Sequence, residues 1–210
     1  MKTYIFTGGI GCGKSSAVAA FEQHIGAART AIFSADKEVQ RLLDDEAVLI
    51  ELSAKLGADA VLTEGSVRRA NRTFLREKVF FDSVARHVLE SILHPRVFVA
   101  LKAQQAEAKK MGFELFLAEV PLHYETGNSV TADLIIVVAA SQTVQVWRLM
   151  ERRGLSEPII EQMLRSQWPI EAKVERADVV IWNDGDSAAL AAQLLTLARQ
   201  HWHDESKRKP

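Results

Sequence analysis

The sequence contains very little cysteine and no long apolar run. A single cysteine, Cys12, is found among 210 residues, so no disulfide bond can form within the chain. No apolar stretch is long enough to cross a bilayer, and the first residues lack the pattern of a secretory signal. We therefore expect a cytoplasmic protein with no membrane partner.

The sequence also lacks an excess of charge of either sign. Lysine and arginine total 26 against 27 acidic residues, which gives a net charge of -1 and no reason to expect nucleic acid as a partner. Hydrophobic residues make up 48% of the chain and charged residues 25%. This balance predicts one globular domain with a sizeable core.

Short apolar runs recur along the chain and predict a parallel β-sheet. Each run is apolar at consecutive positions, as in strands buried on both faces, and helical segments separate the runs. The runs are Thr3–Thr7, Thr30–Phe33, Leu115–Ala118, Leu134–Val138 and Val179–Trp182. The predicted fold class is therefore α/β, with about five parallel strands flanked by helices.

Two long segments between these runs carry almost no strand signal. One spans 37–111, and because its roughly eighty residues are too many for a single crossover, it predicts a helical insertion. The other spans 142–176, is rich in arginine and predicts a second helical insert. The charged residues from His203 onward are expected to be frayed. The remaining core would comprise 1–36, 112–141 and 177–203.

A glycine-rich segment follows the first predicted strand and precedes a predicted helix. Its residues fit the pattern G-x-x-x-x-G-K-[ST] in the context that a phosphate-binding loop, or P-loop, requires. Glycines allow successive backbone N–H groups to surround a phosphate. Lys14 would bridge the β- and γ-phosphates of ATP, and the Ser15 hydroxyl would hold Mg²⁺. The segment expected to bind ATP is Gly8, Gly9, Ile10, Gly11, Cys12, Gly13, Lys14, Ser15 and Ser16.

Cys12 occupies a position in this loop that requires a small residue. The nearby helix N-terminus favours its thiolate, which predicts that ATP slows alkylation of the thiol. The alternative interpretation is a residue that only fills space.

Two carboxylates follow predicted strands, at the sheet edge where doubly wound folds bind ligands. Asp36 follows the second strand and could accept the proton of an acceptor hydroxyl, or it could be the N-cap of the next helix. Glu119 ends the third strand and could contact Mg²⁺ directly or through water. Alternatively, Glu119 neutralises Lys14 or another cation.

Several separated stretches together resemble the dephospho-coenzyme A kinase family. The P-loop resembles the family's T-G-G-I-G-S-G-K-S, with Cys12 in place of the first serine, and Ser34-Ala35-Asp36 resembles its D-A-D, with Ser34 for the first acid. The matches keep the family's order over nearly the whole chain. The further matching stretches are Asn71-Arg72 with Leu75, Val79 and Phe80; His94-Pro95; Pro121-Leu122-His123-Tyr124-Glu125; Gln145, Arg148 and Arg152; Ser166-Gln167; and Asn183-Asp184-Gly185.

The resemblance implies a P-loop kinase that transfers the γ-phosphate of ATP to the ribose 3′-hydroxyl of dephospho-CoA, with Mg²⁺. It implies that Asp36 is the catalytic base, that 37–111 binds the acceptor, and that 142–176 forms a lid. Arg148 and Arg152, four residues apart on one predicted helix face, would close over the phosphates. The side-chain amide of Asn183 could read the adenine edge while Gly185 lets the backbone approach, although Asn-Asp-Gly is also a common plain turn.

The resemblance also implies an acceptor-binding set, namely Asp36, Arg72, His94, Pro121, Leu122 and Glu125. Arg72 could meet the diphosphate of the acceptor or be a surface charge. His94, which precedes a proline, is expected in an extended or turn conformation at a helix interruption. Two alternatives stay open. One is another small-molecule or nucleoside kinase, because such kinases share the loop, the lid and the acid. The other is a silent ATP- and CoA-binding switch, for which the departures at Ser34, His123 and Tyr124 are the motive.

Overall fold

The computed structural model describes residues 1–127 and 130–202, so the charged residues from His203 onward lie outside the described part. The chain divides into two compact units, one made of Met1–Phe33 with Gln105–Pro210 and the other of Ser34–Gln104. Among the helices of the described residues, none is both long enough and apolar enough to span a membrane.

Strands and helices alternate through most of the chain. The strands are β1 (Lys2–Gly8), β2 (Thr30–Ser34), β3 (Val61–Glu64), β4 (Val67–Ala70), β5 (Leu115–Glu119), β6 (Leu134–Ala139) and β7 (Val179–Trp182). The α-helices are α1 (Lys14–Ile25), α2 (Ala35–Leu42), α3 (Glu46–Leu56), α4 (Arg72–Phe81), α5 (Ser83–Lys110), α6 (Gln142–Arg153), α7 (Glu157–Arg165), α8 (Ile170–Val174) and α9 (Ser187–His201).

The first unit is built on a five-stranded sheet with the order β2-β5-β1-β6-β7. β1 is central and pairs in parallel with β5 and β6, which places Phe6 opposite Glu119 and Ile136. Helices α1 and α9 pack together, and the ring of Phe21 from α1 lies 5.8 Å from that of Phe6. The predicted α/β fold with about five parallel strands is confirmed, and the P-loop leaves the middle of the sheet.

The second unit has its own apolar core, in which Val48, Leu49, Leu52 and Ile92 are completely or almost completely buried. It also contains an antiparallel hairpin of β3 and β4, joined at Gly65. The insertion is otherwise mostly helical, as predicted, and the sequence did not predict this hairpin. The strands are only four residues long and mostly exposed, so they carry no apolar run that sequence reasoning could recognise.

Helix α5 runs without a break through Pro95, so the predicted interruption at His94 was wrong. Proline removes one backbone donor and disturbs the neighbouring turn, which usually destabilises a helix interior by about 3 kcal/mol. Here the guanidinium of Arg96 donates to the carbonyl of Ile92 at 2.7 Å. Ile92 and Leu93 are buried in the core of the second unit, and this packing holds the helix together across the proline.

Candidate active site

The P-loop connects β1 to α1 and needs glycine at defined positions. Gly8, Gly11 and Gly13 have φ angles of 138°, 74° and 89°, a region that other residues rarely adopt. A Cβ atom on Gly8 would lie 2.0 Å from the carbonyl oxygen of Val138, and one on Gly13 would lie 2.4 Å from the Nδ2 atom of Asn183. The glycines therefore serve both the turn and the close packing of the loop against its neighbours.

Lys14 begins α1 and turns its ammonium group back into the loop. Its Nζ atom donates to the carbonyl oxygens of Gly9 at 2.8 Å and Gly8 at 3.3 Å, and the residue is only 9% exposed. A buried cation held by backbone carbonyls provides a fixed positive charge beside the N-terminus of α1. Both features attract phosphate.

Side chains from the other end of the chain hold the carbonyl groups of the loop. Asn183, which follows β7 and is 5% exposed, donates from Nδ2 to the carbonyl oxygen of Cys12 at 2.8 Å. Arg148 of α6 donates to the carbonyl oxygen of Gly11 at 3.4 Å. Gln145 is buried against the loop and donates to the carbonyl oxygen of Ala140 at 2.8 Å. The structure thus places the side chain of Asn183 beneath the loop, and Gly185 in the turn before α9.

Cys12 is completely buried in the core of the first unit. Burial raises the pKa of its thiol, outweighing the opposing effects of Lys14, backbone hydrogen bonds and Arg148. The expectation that the helix N-terminus favours the thiolate was therefore wrong. The residue fills space in the loop, as the alternative interpretation held.

Ser15 and Glu119 lie together beside the loop. The Ser15 hydroxyl donates to Oε1 of Glu119 at 2.6 Å, and Glu119, at the end of β5, is 7% exposed. Hydroxyl and carboxylate oxygens are ligands that suit Mg²⁺. The described residues contain no cluster of three or more His, Cys, Asp or Glu side chains arranged to hold a metal. The pair therefore fits an ion that takes its other ligands from phosphates and water.

The arginines of segment 142–176 differ in their surroundings. Arg148 is half-buried and contacts the P-loop, whereas Arg152, one turn later on α6, is exposed. Arg153 is also exposed, and Arg165 forms an ion pair with Glu161 at 3.5 Å. Of the two arginines predicted to face the phosphates, Arg148 therefore contacts the P-loop and Arg152 is exposed to solvent.

The loop that follows β5 contains a buried ion pair. Lys173 of α8 is 0% exposed, and its Nζ atom lies 2.6 Å from Oε1 of Glu125 and donates to the carbonyl oxygen of Pro121 at 3.2 Å. Oε1 of Glu125 also accepts the backbone N–H of Trp168 at 3.1 Å. Among the described residues, the buried Oε2 atom of Glu125 has no hydrogen-bond partner. Leu122 is half-buried in the same loop.

The departures at His123 and Tyr124 lie beside this ion pair. The ring of Tyr124 stacks on Trp168 with centroids 6.3 Å apart, and its hydroxyl donates to the carbonyl oxygen of Arg176 at 3.0 Å. Burial lowers the pKa of His123, against the opposing effect of Glu125. Tyr124 therefore joins the loop to the segment around α8.

The remaining predicted site residues belong to the second unit. Asp36 is exposed in the first turn of α2, where Ser34 occupies the N-cap position, so the N-cap alternative for Asp36 was wrong. Arg72 begins α4 and donates to the carbonyl oxygen of Gln40 at 3.2 Å and to Oδ2 of Asp44 at 3.3 Å. His94 is half-buried, and burial lowers its pKa.

Gln167 and Lys173 were not among the predicted site residues. Oε1 of Gln167 accepts the backbone N–H of Ile10, inside the P-loop, at 2.9 Å. The resemblance had marked Gln167 as part of a lid segment, but nothing local indicated this contact. Nothing in the sequence indicated that Lys173 is buried, because a lysine within a polar helical segment is usually exposed.

A cleft of about 430 Å³ opens beside the P-loop, between the start of α6 and the segment that joins α7 to α8. Gly9, Gln145 and Gln167 line it, together with the exposed rings of Trp168 and Trp182. Side chains therefore contact the P-loop from two elements: Gln145 and Arg148 from α6, and Gln167 from the segment that joins α7 to α8.

The parallel sheet, the P-loop with Lys14 and the Ser15–Glu119 pair define a P-loop kinase. The sequence profile of the dephospho-CoA kinase family matches residues 4–189, and the chain belongs to that family. It is 34% identical over 192 residues to a dephospho-CoA kinase of Syntrophotalea carbinolica, covering 91% of this chain and 88% of the relative.

Solved structures are similar over nearly the same length. TT1252 from Thermus thermophilus is 32% identical with a TM-score of 0.73, covering 95% of this chain and 97% of that one. A dephospho-CoA kinase from Campylobacter jejuni is 25% identical with a TM-score of 0.61, covering 95% and 96%.

Proposed function

We propose that this protein transfers the γ-phosphate of ATP to the ribose 3′-hydroxyl of dephospho-CoA, giving CoA and ADP. The observation that carries the proposal is the complete P-loop, with its buried lysine and its Ser15–Glu119 pair, in a chain that matches the dephospho-CoA kinase family over residues 4–189. The reaction is the last step of coenzyme A synthesis. We place it in the cytoplasm, where ATP is abundant.

On the donor side, the P-loop holds the triphosphate. Backbone N–H groups and the α1 N-terminus bind the phosphates, and the Lys14 ammonium approaches the β- and γ-phosphates. Ser15 and Glu119 would hold Mg²⁺, which when bound neutralises phosphate charge. Arg148 already contacts the loop and would stabilise charge on the transferred group, and closure of 142–176 would add Arg152 and exclude water.

On the acceptor side, Asp36 would accept the proton of the 3′-hydroxyl. It is exposed and only two residues beyond the end of β2, whose carboxyl end lies at the same sheet edge as the P-loop. Segment 37–111 would hold the rest of the acceptor, with Arg72 near its diphosphate and His94 as a positioning residue. Pro121, Leu122 and Glu125 would border the acceptor, and Asn183 and Gly185 would border the adenine of ATP.

The test is an assay with ATP and a panel of acceptors, namely dephospho-CoA, a nucleoside and shikimate, with ADP release as the readout. Only dephospho-CoA is expected to stimulate release strongly, and the product should carry a new phosphate at the 3′ position. Lys14→Ala is the matched inactive control. Strong release with another acceptor would contradict the assignment, and binding of both ligands without ADP release would identify a silent switch.

A further inference from the structure

One peptide unit of the P-loop is held from both sides. The carbonyl oxygen of Gly9 accepts from Nζ of Lys14 at 2.8 Å, and the N–H of the same peptide group, on Ile10, donates to Oε1 of Gln167 at 2.9 Å. The backbone N–H of Cys12 also donates to the carbonyl oxygen of Gly9, at 3.3 Å. Because a trans peptide group is planar with its C=O and N–H pointing in opposite directions, these contacts restrain its orientation together. Gln167 therefore lies opposite the phosphate-binding lysine, across one rigid group.

The backbone beside Gln167 is itself anchored. The N–H of Trp168, the next residue, donates to Oε1 of Glu125 at 3.1 Å, and the same oxygen lies 2.6 Å from Nζ of the fully buried Lys173. Lys173 also donates to the carbonyl oxygen of Pro121. That oxygen accepts the hydroxyl of Thr7 at 3.2 Å.

These contacts form a closed ring of hydrogen bonds. The ring begins at the hydroxyl of Thr7, directly before the P-loop, and continues through the Pro121 carbonyl to the Glu125–Lys173 pair. From Glu125 it continues through the backbone of Trp168 and the side chain of Gln167 to the N–H of Ile10, inside the P-loop. Since a buried ion pair in such a network has one favoured geometry, the ring restrains where Gln167 lies.

We propose that Gln167 is a positioning residue for the Lys14 ammonium, acting through the Gly9–Ile10 peptide group, and that the Glu125–Lys173 pair holds Gln167 in place. The inference rests on the proposed binding of ATP and deepens it. It gives Glu125 a role in aligning the ATP site, in addition to the acceptor contact that the family resemblance implies.

The test compares Gln167→Met, which keeps the length of the side chain and removes its acceptor oxygen, with Gln200→Met on the exposed end of α9. Affinities are measured by isothermal titration with MgATP alone and with dephospho-CoA alone. Losing one hydrogen bond should weaken ATP binding roughly three- to tenfold for Gln167→Met. Binding of dephospho-CoA should stay the same, and Gln200→Met should match the wild type.

A double-mutant cycle tests the link to the ion pair. The pair variant Glu125→Gln/Lys173→Met removes both charges, and Gln167→Met is added to it. If the pair acts through Gln167, the combined variant binds ATP no more weakly than the poorer of the two parents. Independent, multiplying losses would overturn the link, and unchanged ATP affinity in Gln167→Met would overturn the role of Gln167. Failure of the wild type to bind ATP would instead refute the proposed function.

Discussion

The Glu125–Lys173 pair allows a quantitative prediction about stability. Lys173 is completely buried and the Glu125 side chain is 13% exposed, so replacing Lys173 by methionine leaves a carboxylate with little access to water. Breaking a buried pair in this way typically destabilises a protein by about 3–5 kcal/mol. Removing both charges in Glu125→Gln/Lys173→Met should restore most of that loss, because no unpaired charge remains.

The assay is equilibrium unfolding in urea, followed by circular dichroism. With a slope of about 2 kcal/mol per molar urea, the loss for Lys173→Met corresponds to a midpoint lower by roughly 2 M. Arg165→Met is the control, since its partner Glu161 lies 3.5 Å away in an exposed pair, and it should leave the midpoint almost unchanged. A loss below about 1 kcal/mol in Lys173→Met, or a double variant as unstable as the single one, would refute the reasoning.

Three further predictions concern catalysis, the loop and alkaline stability. Asp36→Asn should lower kcat by roughly 10²–10⁴-fold while ATP affinity measured by titration stays unchanged, and wild-type turnover would refute its role as base. Gly13→Ala should weaken ATP binding about tenfold or more, because the φ angle of Gly13 is 89° and the new Cβ atom would clash with Asn183. Gly26→Ala is the control: Gly26 also has a positive φ angle, 102°, but lies in open space, so ATP binding should not change. Burial raises the pKa of Tyr4 to about 12 from 10.0, so its contribution to stability is complete below pH 10 and is lost as pH rises through about 12. Thermal unfolding across that range should therefore show a steeper decline for the wild type than for Tyr4→Phe, and equal slopes would contradict this cause.

The features that could be predicted from sequence are those with a local signature. β1 and β6 are buried on both faces, so their consecutive apolar residues identify a parallel sheet, and the P-loop is recognisable from its glycines and Lys14. The hairpin of β3 and β4 could not be predicted, because its strands are short and mostly exposed and so show no apolar pattern.

Features that depend on tertiary contacts could not be predicted. Pro95 alone favours a helix end, and only the buried neighbours Ile92 and Leu93 explain why α5 continues. Lys173 and Glu125 are separated by a strand and two helices, and a buried lysine looks the same in sequence as an exposed one. The contact between Gln167 and Ile10 likewise arises from the fold, across 157 positions of sequence.

The position of Asn183 shows how the fold can give a residue a second task. Its Nδ2 atom donates to the carbonyl oxygen of Cys12 at 2.8 Å, so the planar peptide group directs the N–H of Gly13 to the opposite side. The positive φ of Gly13 then lets the chain turn directly into α1, whose first N–H groups are unpaired within the helix. Asn183 thereby orients the N–H of Gly13, which we propose binds phosphate, while its own backbone directly follows β7. Any contact that it makes with adenine must therefore come from its remaining amide atoms or its backbone.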